Sequence, residues 1–554
     1  MTRLALRLTA ALMAAVFLWI VLTLPPRPAV ASGSVAEAIR ARTAAGAVHI
    51  HSIRSDGAGD RQAIAAAAAR TGLQFVVVTD HGDATRQPDP PAYVNGVLCI
   101  DAVEVSTNGG HVVALDMPVA PYPLGGEADA VIEDVTRLGG VAIAAHPDSR
   151  KPELAWADWT IPVAGLEWLS LDSAWRSASR FGLARVALHS LIRPGPALAS
   201  LLDRPDRLLA RWDEMASRTR VIGVAGHDTH GGVARPEEGS RWALPGASSY
   251  DASFAAFSTR VVLGTPLTGN AGSDARSVMA ALRAGRVFTG VDAVAAPAWV
   301  DFHATLGSAE VQMGEERPFV NDSMLTVHST AATGTTAVLL RNGAEVLTSL
   351  TGELQYRPSE PGAYRVELRH AGTRVPWVVT NPIYLREEVA AAAQTPSAGS
   401  ATTALELPEP GVIEKDPDSS ASLTPGASSR SVTFRLRGGE RVSQYVALAV
   451  PLSKGLPPFD GIAFDARSSS PMRVSVQLRF EDHDGARWRR SIYVSPSESN
   501  IVVPIARLLA ADRPGPVPAV SSASSLLFVV DLTNALPGAE GQFAVSRLRL
   551  VRLQ

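Results

Sequence analysis

Imidazole and carboxylate side chains recur at the ends of short apolar runs between residues 49 and 230 of this 554-residue chain. Runs such as 73–79 and 141–145 are rich in Val and Ala and are typical of buried strands. Helix-like segments such as 61–71 alternate with them, so we expect a parallel sheet wrapped by helices over this region. Active sites of such barrels lie at the carboxyl ends of the strands. The pattern therefore predicts one site built from strand-end residues.

Nine residues of metal-ligand type occupy those positions, and six of them are among the 12 histidines of the chain. They are His49, His51, Asp56, His81, Glu104, His111, His146, Asp228 and His230. Residues two apart on a strand share a face, which places His49 beside His51 and Asp228 beside His230. A single histidine of this kind is usually a hydrogen-bonded polar residue. The complete set predicts a site for several metal ions.

In order and in strand position, these clusters resemble the motif series of the PHP (polymerase and histidinol phosphatase) superfamily. The matching segments are His49–Gly57, Thr79–His81, Glu104, His111, His146–Pro147 and Asp228–His230. The resemblance covers about residues 46 to 295 and implies a distorted seven-stranded β/α barrel. It also implies two or three divalent ions, with Zn, Mn and Fe all suited to mixed imidazole and carboxylate ligands.

The resemblance assigns the nine ligands to three ions. His49, His51, Glu104 and Asp228 would hold one, Asp56, His81 and His230 the second, and Glu104 with His111 and His146 the third. The position of Asp56 carries histidine in some relatives, so the second ion is expected to be weaker or of another kind. By the same resemblance, a metal-activated water would attack phosphorus in a phosphomonoester or phosphodiester.

Four residues are candidates for catalytic roles beside the ions. His146 and His230 are either ligands or proton shuttles. Arg54 and Arg150, with Lys151 next to the latter, either hold the substrate phosphate or are solvated surface charges. The Trp-rich stretch 156–176 is either a substrate wall or the packing of an insertion on the barrel.

The N-terminus combines Arg3 and Arg7 with an apolar run from Leu8 to Leu24 and the small residues Ala29-Val30-Ala31. Residues 1–31 are therefore a secretory signal or an uncleaved membrane anchor, and the body of the protein is expected in the periplasm, secreted or anchored outside the cytoplasm. A net charge of −3 argues against bulk binding of nucleic acid. The single Cys99 lies in an apolar run and is expected to be buried.

The predicted fold class is α/β plus all-β. Residues 35–297 form the barrel, 298–388 an immunoglobulin-like β-sandwich, 389–404 a linker and 405–554 a jelly-roll-like β-sandwich. Aromatic residues of the last domain, Tyr445, Trp488 and Tyr493, could stack on sugar rings. A phosphoesterase is thus the first hypothesis. The alternatives are a non-catalytic envelope protein that binds glycan or protein through its sandwiches, and a metal hydrolase of a non-phosphate bond.

Overall fold

A closed ring of strands runs through residues 43–229 of the computed structural model, which describes residues 2–234, 241–242, 249–387, 404–406, 411–426, 429–453, 456, 458–511 and 515–553. Most of its residues are buried on both faces, as the apolar runs predict. The last strand of the ring pairs with the first. In order, the strands are Thr43–Ile50, Phe75–Val78, Val97–Asp101 followed by Val103–Thr107, Gly110–Leu115, Val141–Ala145, Gly165–Ser170 and Ile222–Thr229.

One part of the ring departs from the expected parallel arrangement. The strand Gly110–Leu115 is antiparallel to both of its neighbours, while the pairs that precede and follow this part of the ring are parallel. The connection before it consists of Asn108 and Gly109 alone, and so short a link can only reverse the chain. The reversal puts the start of Gly110–Leu115 at the same edge as the carboxyl ends of the parallel strands.

Short helices connect the strands and cover the ring. Several begin at side chains that accept a hydrogen bond from the first turn, including Asp60, Ser179 and Asn270. The alanine-rich helix packs its small side chains closely against the strands, with Ala65 and Ala68 fully buried. The helices are Glu37–Ala41, Arg61–Arg70, Ala128–Arg137, Leu171–Ser177, Arg180–His189, Pro194–Ala199, Asp206–Arg218, Tyr250–Phe254 and Ala271–Ala284.

Residues 258–386 extend the same sheet into a β-rich module. Ser258–Val262 pairs with the first ring strand and with Val287–Gly290, which pairs in turn with Val378–Thr380. A second, four-stranded sheet consists of Ala309–Gln312, Val300–Leu306, Met324–Ser329 and Glu353–Tyr356. The other strands of the module are Glu316–Pro318, Thr335–Arg341, Ala344–Ser349, Gly362–His370 and Ile383–Arg386. Short strands elsewhere are Ala29–Val30, Ala92–Val94, Val233–Ala234, Arg241–Trp242 and Ala295–Ala296.

A buried ionic network ties this module to the ring helices. The Arg365 guanidinium donates to both carboxylate oxygens of Asp213, at 2.7 Å each, and to Glu367 at 2.7 Å. Arg204 donates to the same Glu367 carboxylate. Because Arg365 is only 1% exposed, its charge depends on these partners. The module and the ring accordingly belong to one compact unit of residues 1–82, 88–118 and 135–390.

The second unit contains residues 83–87, 119–134 and 391–554. Its two largely antiparallel six-stranded sheets enclose an apolar core, which confirms the predicted C-terminal β-sandwich. One sheet has the strands Ala404–Glu406, Ser420–Pro425, Ser429–Arg435, Gly461–Ser468, Ser499–Pro504 and Glu540–Val551. The other has Val412–Lys415, Tyr445–Pro451, Met472–Phe480, Ala486–Val494, Leu509–Ala510 and Ser525–Asp531. The predicted linker comprises residues 389–404; residues 389–403 lie outside the described residues, and Ala404 begins a strand.

The helix Thr2–Thr23 is the longest in the described chain, and its segment Ala5–Thr23 is long and apolar enough to cross a membrane. None of that segment is buried inside the protein.

Candidate metal centre

All nine predicted ligand residues lie together at one edge of the ring. They form four overlapping groups whose ligand atoms lie within 4.8 Å of one another. The groups are His51 with Asp56, His81 and His230; His49 with His51 and Glu104; His49 with His146 and Asp228; and His81 with Glu104 and His111. Residues separated by up to 181 positions in the sequence therefore share one site, because the carboxyl ends of the strands meet there.

The innermost part of the cluster is His49, His51 and Glu104. The Oε2 atom of Glu104 lies 3.2 Å from Nε2 of His49 and 3.2 Å from Nε2 of His51. Within the described part of the chain, these three buried atoms have no hydrogen-bond partner of acceptable geometry. Buried polar atoms without partners are costly, so their convergence indicates a site that a bound ion would complete.

The other oxygen of Glu104 faces a second pair of imidazoles. Its Oε1 atom lies 2.7 Å from Nδ1 of His111 and 3.0 Å from Nε2 of His146. The Nδ1 atom of His146 lies 3.2 Å from the carbonyl oxygen of Leu154. With a proton on Nδ1 donated to that carbonyl, Nε2 of His146 presents a lone pair to the cluster. Glu104 thus stands between two groups of imidazoles, as a bridging ligand would.

Asp56, His81 and His230 form the outer part of the site. Nε2 of His230 lies 3.1 Å from Oδ2 of Asp56, and Nδ1 of the same ring lies 3.2 Å from the backbone carbonyl of Asp228. The side chains of Asp56 and His81 are 33% and 36% exposed, whereas those of His49 and Glu104 are almost completely buried. The cluster is therefore open to solvent on the side of Asp56 and His81.

Irregular backbone directs three of these side chains inward. The register of Thr43–Ile50 shifts at His49, and that of Ile222–Thr229 shifts before Thr229. His49, His146 and Asp228 have φ values of 66°, 29° and 43°, in the left-handed region that non-glycine residues seldom adopt. The expected convergence of His49 and His51 therefore arises from a bulged strand and not from simple alternation.

Glu167 lies in the stretch interpreted as a substrate wall or as packing, and its contacts with the histidines were not predicted. Glu167, in the middle of a fully buried strand, accepts a 2.6 Å hydrogen bond from Nδ1 of His49 and a 2.7 Å bond from the backbone N–H of His146. Its first bond fixes the His49 ring with Nε2 towards Glu104. Gly226 makes room for the carboxylate, because a Cβ there would lie only 2.1 Å from Oε1 of Glu167. The sequence feature that could have indicated this role is a single glutamate within an otherwise apolar strand, because a buried carboxylate needs hydrogen-bond partners.

Charge in the site shifts several pKa values. Burial lowers the pKa of His51, but the adjacent carboxylates of Asp228 and Glu104, 3.1 and 3.2 Å from its Nε2 atom, outweigh it and raise the pKa to about 9. Burial also lowers the pKa of His146, but the hydrogen bond to Glu104 outweighs it and raises the pKa to about 9. Burial raises the pKa of Glu104, yet the neighbouring imidazoles hold it well below its usual range. The Glu104 carboxylate thus stays ionised at neutral pH, and His51 and His146 must each lose a proton before they can bind a metal.

The predicted phosphate-binding residues lie outside this cluster. Arg54 pairs with Asp89 at 2.6 Å and with Asp101 at 3.4 Å, whereas Arg150 and Lys151 are exposed. Of the four tryptophans in the stretch 156–176, Trp156 and Trp168 are buried, whereas Trp159 and Trp175 are partly exposed. Arg176, on the helix after the strand of Glu167, is near enough to Asp228 to interact with its charge. Burial lowers its pKa, but Asp172 and then Asp228 raise it above the usual value.

Comparisons with known proteins concern about a quarter of the chain. No family model matches, and no curated protein matches. Among solved structures, a family 11 carbohydrate-binding module of a cellulosomal cellulase from Clostridium thermocellum is 17% identical, covering 26% of this chain and 86% of its own, with a TM-score of 0.20. A family 29 carbohydrate-binding module is 12% identical over 27% of this chain and 90% of its own, with a TM-score of 0.19. An agarase is 14% identical over 27% of this chain and 25% of its own, with a TM-score of 0.20.

Proposed function

We propose that the ring of residues 43–229 is a PHP-type barrel and that the protein is a metal-dependent hydrolase of phosphate esters. One observation carries the proposal: Nε2 of His49, Nε2 of His51 and Oε2 of Glu104 are buried, converge within 3.2 Å contacts and lack hydrogen-bond partners among the described residues. Six imidazoles and three carboxylates in one cluster make a donor set suited to Zn, Mn or Fe.

The residues fit two or three divalent ions. His49, His51, Glu104 and Asp228 would hold the inner ion. Asp56, His81 and His230 would hold the outer one, and Glu104 with His111 and His146 would hold a third. When bound, such ions supply a water of lowered pKa and positive charge next to phosphoryl oxygens.

The chain's own groups orient this donor set. Glu167 holds the His49 ring, and the Leu154 carbonyl holds the His146 ring, so that both Nε2 atoms face Glu104. His230 is held in the same way by the backbone carbonyl of Asp228. In His146 and in His230, one ring nitrogen lies at a backbone carbonyl oxygen and the other faces a carboxylate. We therefore assign both residues as metal ligands rather than as proton shuttles.

Arg176 is the cation that we assign to the substrate phosphate. It lies on the helix Leu171–Ser177, which follows the strand of Glu167, and its side chain remains 28% exposed. Its guanidinium pairs with Asp172 and is near enough to Asp228 for that carboxylate to raise its pKa. A planar guanidinium can bind two phosphate oxygens at once, so a phosphate could exchange for Asp172 as its partner.

Metal content and ester hydrolysis, measured on one preparation, test this proposal. The full chain, purified without chelator, is analysed for bound elements and assayed with mono- and bis-p-nitrophenyl phosphate. We expect two or three ions per chain and metal-dependent release of p-nitrophenol. His51→Ala and Asp228→Ala should lose ions and activity together. His328→Ala, a partly exposed histidine in the module after the ring, is the matched control and should retain both.

The outcomes separate the hypotheses. Bound metal lost in both variants, with no turnover of either ester, would exclude broad phosphoesterase activity and favour hydrolysis of another bond. A protein without metal and without turnover would refute the enzyme and favour a non-catalytic envelope protein.

We propose glycan binding by the C-terminal sandwich as a second, independent function. A cleft of about 540 Å³ lies in that unit, lined by Glu414, Tyr445, Arg479 and His483 among others. Arg479 and Glu414 form a bidentate pair at 2.9 Å, which offers both a donor and an acceptor to sugar hydroxyls beside the Tyr445 ring. Trp488, one of the three candidates for stacking on sugar, lies in the core, 5.3 Å from the ring of Phe480.

Affinity electrophoresis in gels that contain soluble polysaccharides tests the cleft. The parent chain should be retarded by at least one polysaccharide, and Tyr445→Ala should lose that retardation. Arg435→Ala, an exposed arginine of the opposite sheet, should behave like the parent. Equal retardation of Tyr445→Ala and the parent would refute binding at the cleft.

A further inference from the structure

Three large apolar side chains are exposed within twelve residues of the first unit. Phe181 is 70% exposed, Leu191 77% and Ile192 48%. Phe181 lies in the first turn of the helix Arg180–His189, and Leu191 and Ile192 follow its end; Val186 and His189 are the buried residues of the helix. Other exposed large apolar residues of the described chain, outside the N-terminal helix, are isolated in sequence. A concentration of this kind marks an interaction surface.

The end of the apolar N-terminal helix lies against the same segment. The ring of Trp19 is 6.4 Å from that of Phe181 and 6.0 Å from that of His189. One turn further on, Oγ1 of Thr23 lies 3.0 Å from Nε2 of His189. Arg193 then donates a hydrogen bond to the carbonyl oxygen of Pro25. The exposed side chains are therefore continuous with the carboxyl-terminal end of the helix.

The length of that helix gives the level at which these contacts occur. Its 22 residues span about 33 Å at 1.5 Å per residue, close to the ~30 Å thickness of a bilayer's hydrocarbon core. Trp19 lies one turn before the helix ends at Thr23. Tryptophan is enriched at this level of membrane-spanning helices, at the membrane–water interface. Phe181, in contact with Trp19, would lie at the same level.

The charge of the segment suits a lipid surface. Residues 177–202 contain Arg180, Arg185 and Arg193 and no Asp or Glu. Exposed apolar residues beside arginines are typical of interfacial helices, in which the apolar side chains enter the headgroup boundary and the cations meet anionic lipid.

We propose that the N-terminal helix crosses a bilayer and that residues 180–193 form a surface in contact with that same bilayer. Phe181, Leu191 and Ile192 enter the interfacial layer, and the exposed Arg180 faces anionic headgroups. The helix then acts as a retained anchor, and the first unit touches the membrane at a second point. The metal centre plays no part in this inference, so the two proposals are tested separately.

Depth-dependent fluorescence quenching tests the contact. The full chain, shown by intact mass to keep its N-terminal helix, is reconstituted into vesicles of phosphatidylcholine and phosphatidylglycerol. Phe181→Cys and Leu191→Cys are labelled with an environment-sensitive dye, and the native Cys99 is buried and serves as the unlabelled background. Leu350→Cys is the matched control, because Leu350 is an apolar residue 84% exposed in the same unit.

We expect blue-shifted emission at positions 181 and 191, and loss of that emission when nitroxide-labelled lipid is included. The label at position 350 should show neither change. Quenching at 181 and 191 no greater than at 350 would overturn the proposal. Blue-shifted emission without quenching, together with a cross-linked dimer, would also overturn it, since a second copy of the chain would then cover the surface.

Discussion

The substitution Gly226→Ala probes whether Glu167 positions the proposed metal ligands His49 and His146. The added Cβ would lie 2.1 Å from Oε1, 2.2 Å from Cδ and 2.5 Å from Oε2 of Glu167. The carboxylate must therefore move by roughly 1 Å to restore van der Waals contact. Such a shift lengthens both of its hydrogen bonds, the 2.6 Å bond from His49 and the 2.7 Å bond from the His146 N–H.

The expected loss follows from what such outer partners contribute. Removing the partner of a ligating histidine weakens metal binding by about 10- to 100-fold, or about 1.4–2.7 kcal/mol. Overpacking should also lower the free energy of unfolding of the metal-free protein by about 1–3 kcal/mol. Glu167→Gln keeps the side-chain size and one acceptor oxygen, so it should weaken metal binding without the overpacking penalty.

Competition with a chromogenic chelator gives the metal affinity, and urea unfolding of the metal-free protein gives the stability. Gly264→Ala is the matched control, since a Cβ at Gly264 meets no atom within 4 Å. It should change neither quantity. Parental metal affinity in both Gly226→Ala and Glu167→Gln would refute a positioning role for Glu167.

The buried ionic network of the first unit yields two further predictions. Asp213→Ala leaves the Arg365 charge buried without its bidentate partner, so it should lower the free energy of unfolding, measured in urea, by about 3–5 kcal/mol. The control Glu214→Ala, on the exposed face of the same helix, should lower it by less than about 1 kcal/mol. Equal losses in the two variants would contradict the argument. Burial raises the pKa of Glu367, but Arg204 and Arg365 lower it from 4.5 to about 2. This contribution of about 3 kcal/mol is present above pH 4.5 and is lost as the pH falls towards 2, so the stability gap between the parent and Glu367→Gln should close over that interval; a gap independent of pH would contradict it.

The sequence was most informative where a residue type and a strand end coincide. His81, His146 and His230 each follow an apolar run, and strand ends of a closed ring must meet, so their meeting could be predicted without coordinates. Asp56 was found in the same way, from the loop that follows His51. The β-sandwich at the C-terminus followed from alternation of apolar and polar residues.

Contacts between distant parts of the chain were less predictable. Trp488 has the same local pattern as a surface aromatic residue, but its strand register places it against Phe480 in the core. The exposure of Phe181 depends on how its helix packs, which periodicity does not specify. Glu167 appeared as one carboxylate in an apolar strand, and its partners are 118 positions away at His49 and 21 away at His146.

Backbone strain explains why the site departs most from local sequence preference. His49, His146 and Asp228 each adopt a positive φ, which costs a non-glycine residue about 1–3 kcal/mol. Glu167 binds the side chain of His49 and the backbone N–H of His146, and it occupies the space left by Gly226, two residues before Asp228. One buried carboxylate thus holds the side chain of His49 and the backbone N–H of His146, and it lies beside the strand segment that leads to Asp228. Strained backbone persists only where several contacts of the surrounding residues hold it in place. Substitutions of Gly226 and Glu167 should therefore disturb the site more than substitutions of the partly exposed Asp56 and His81.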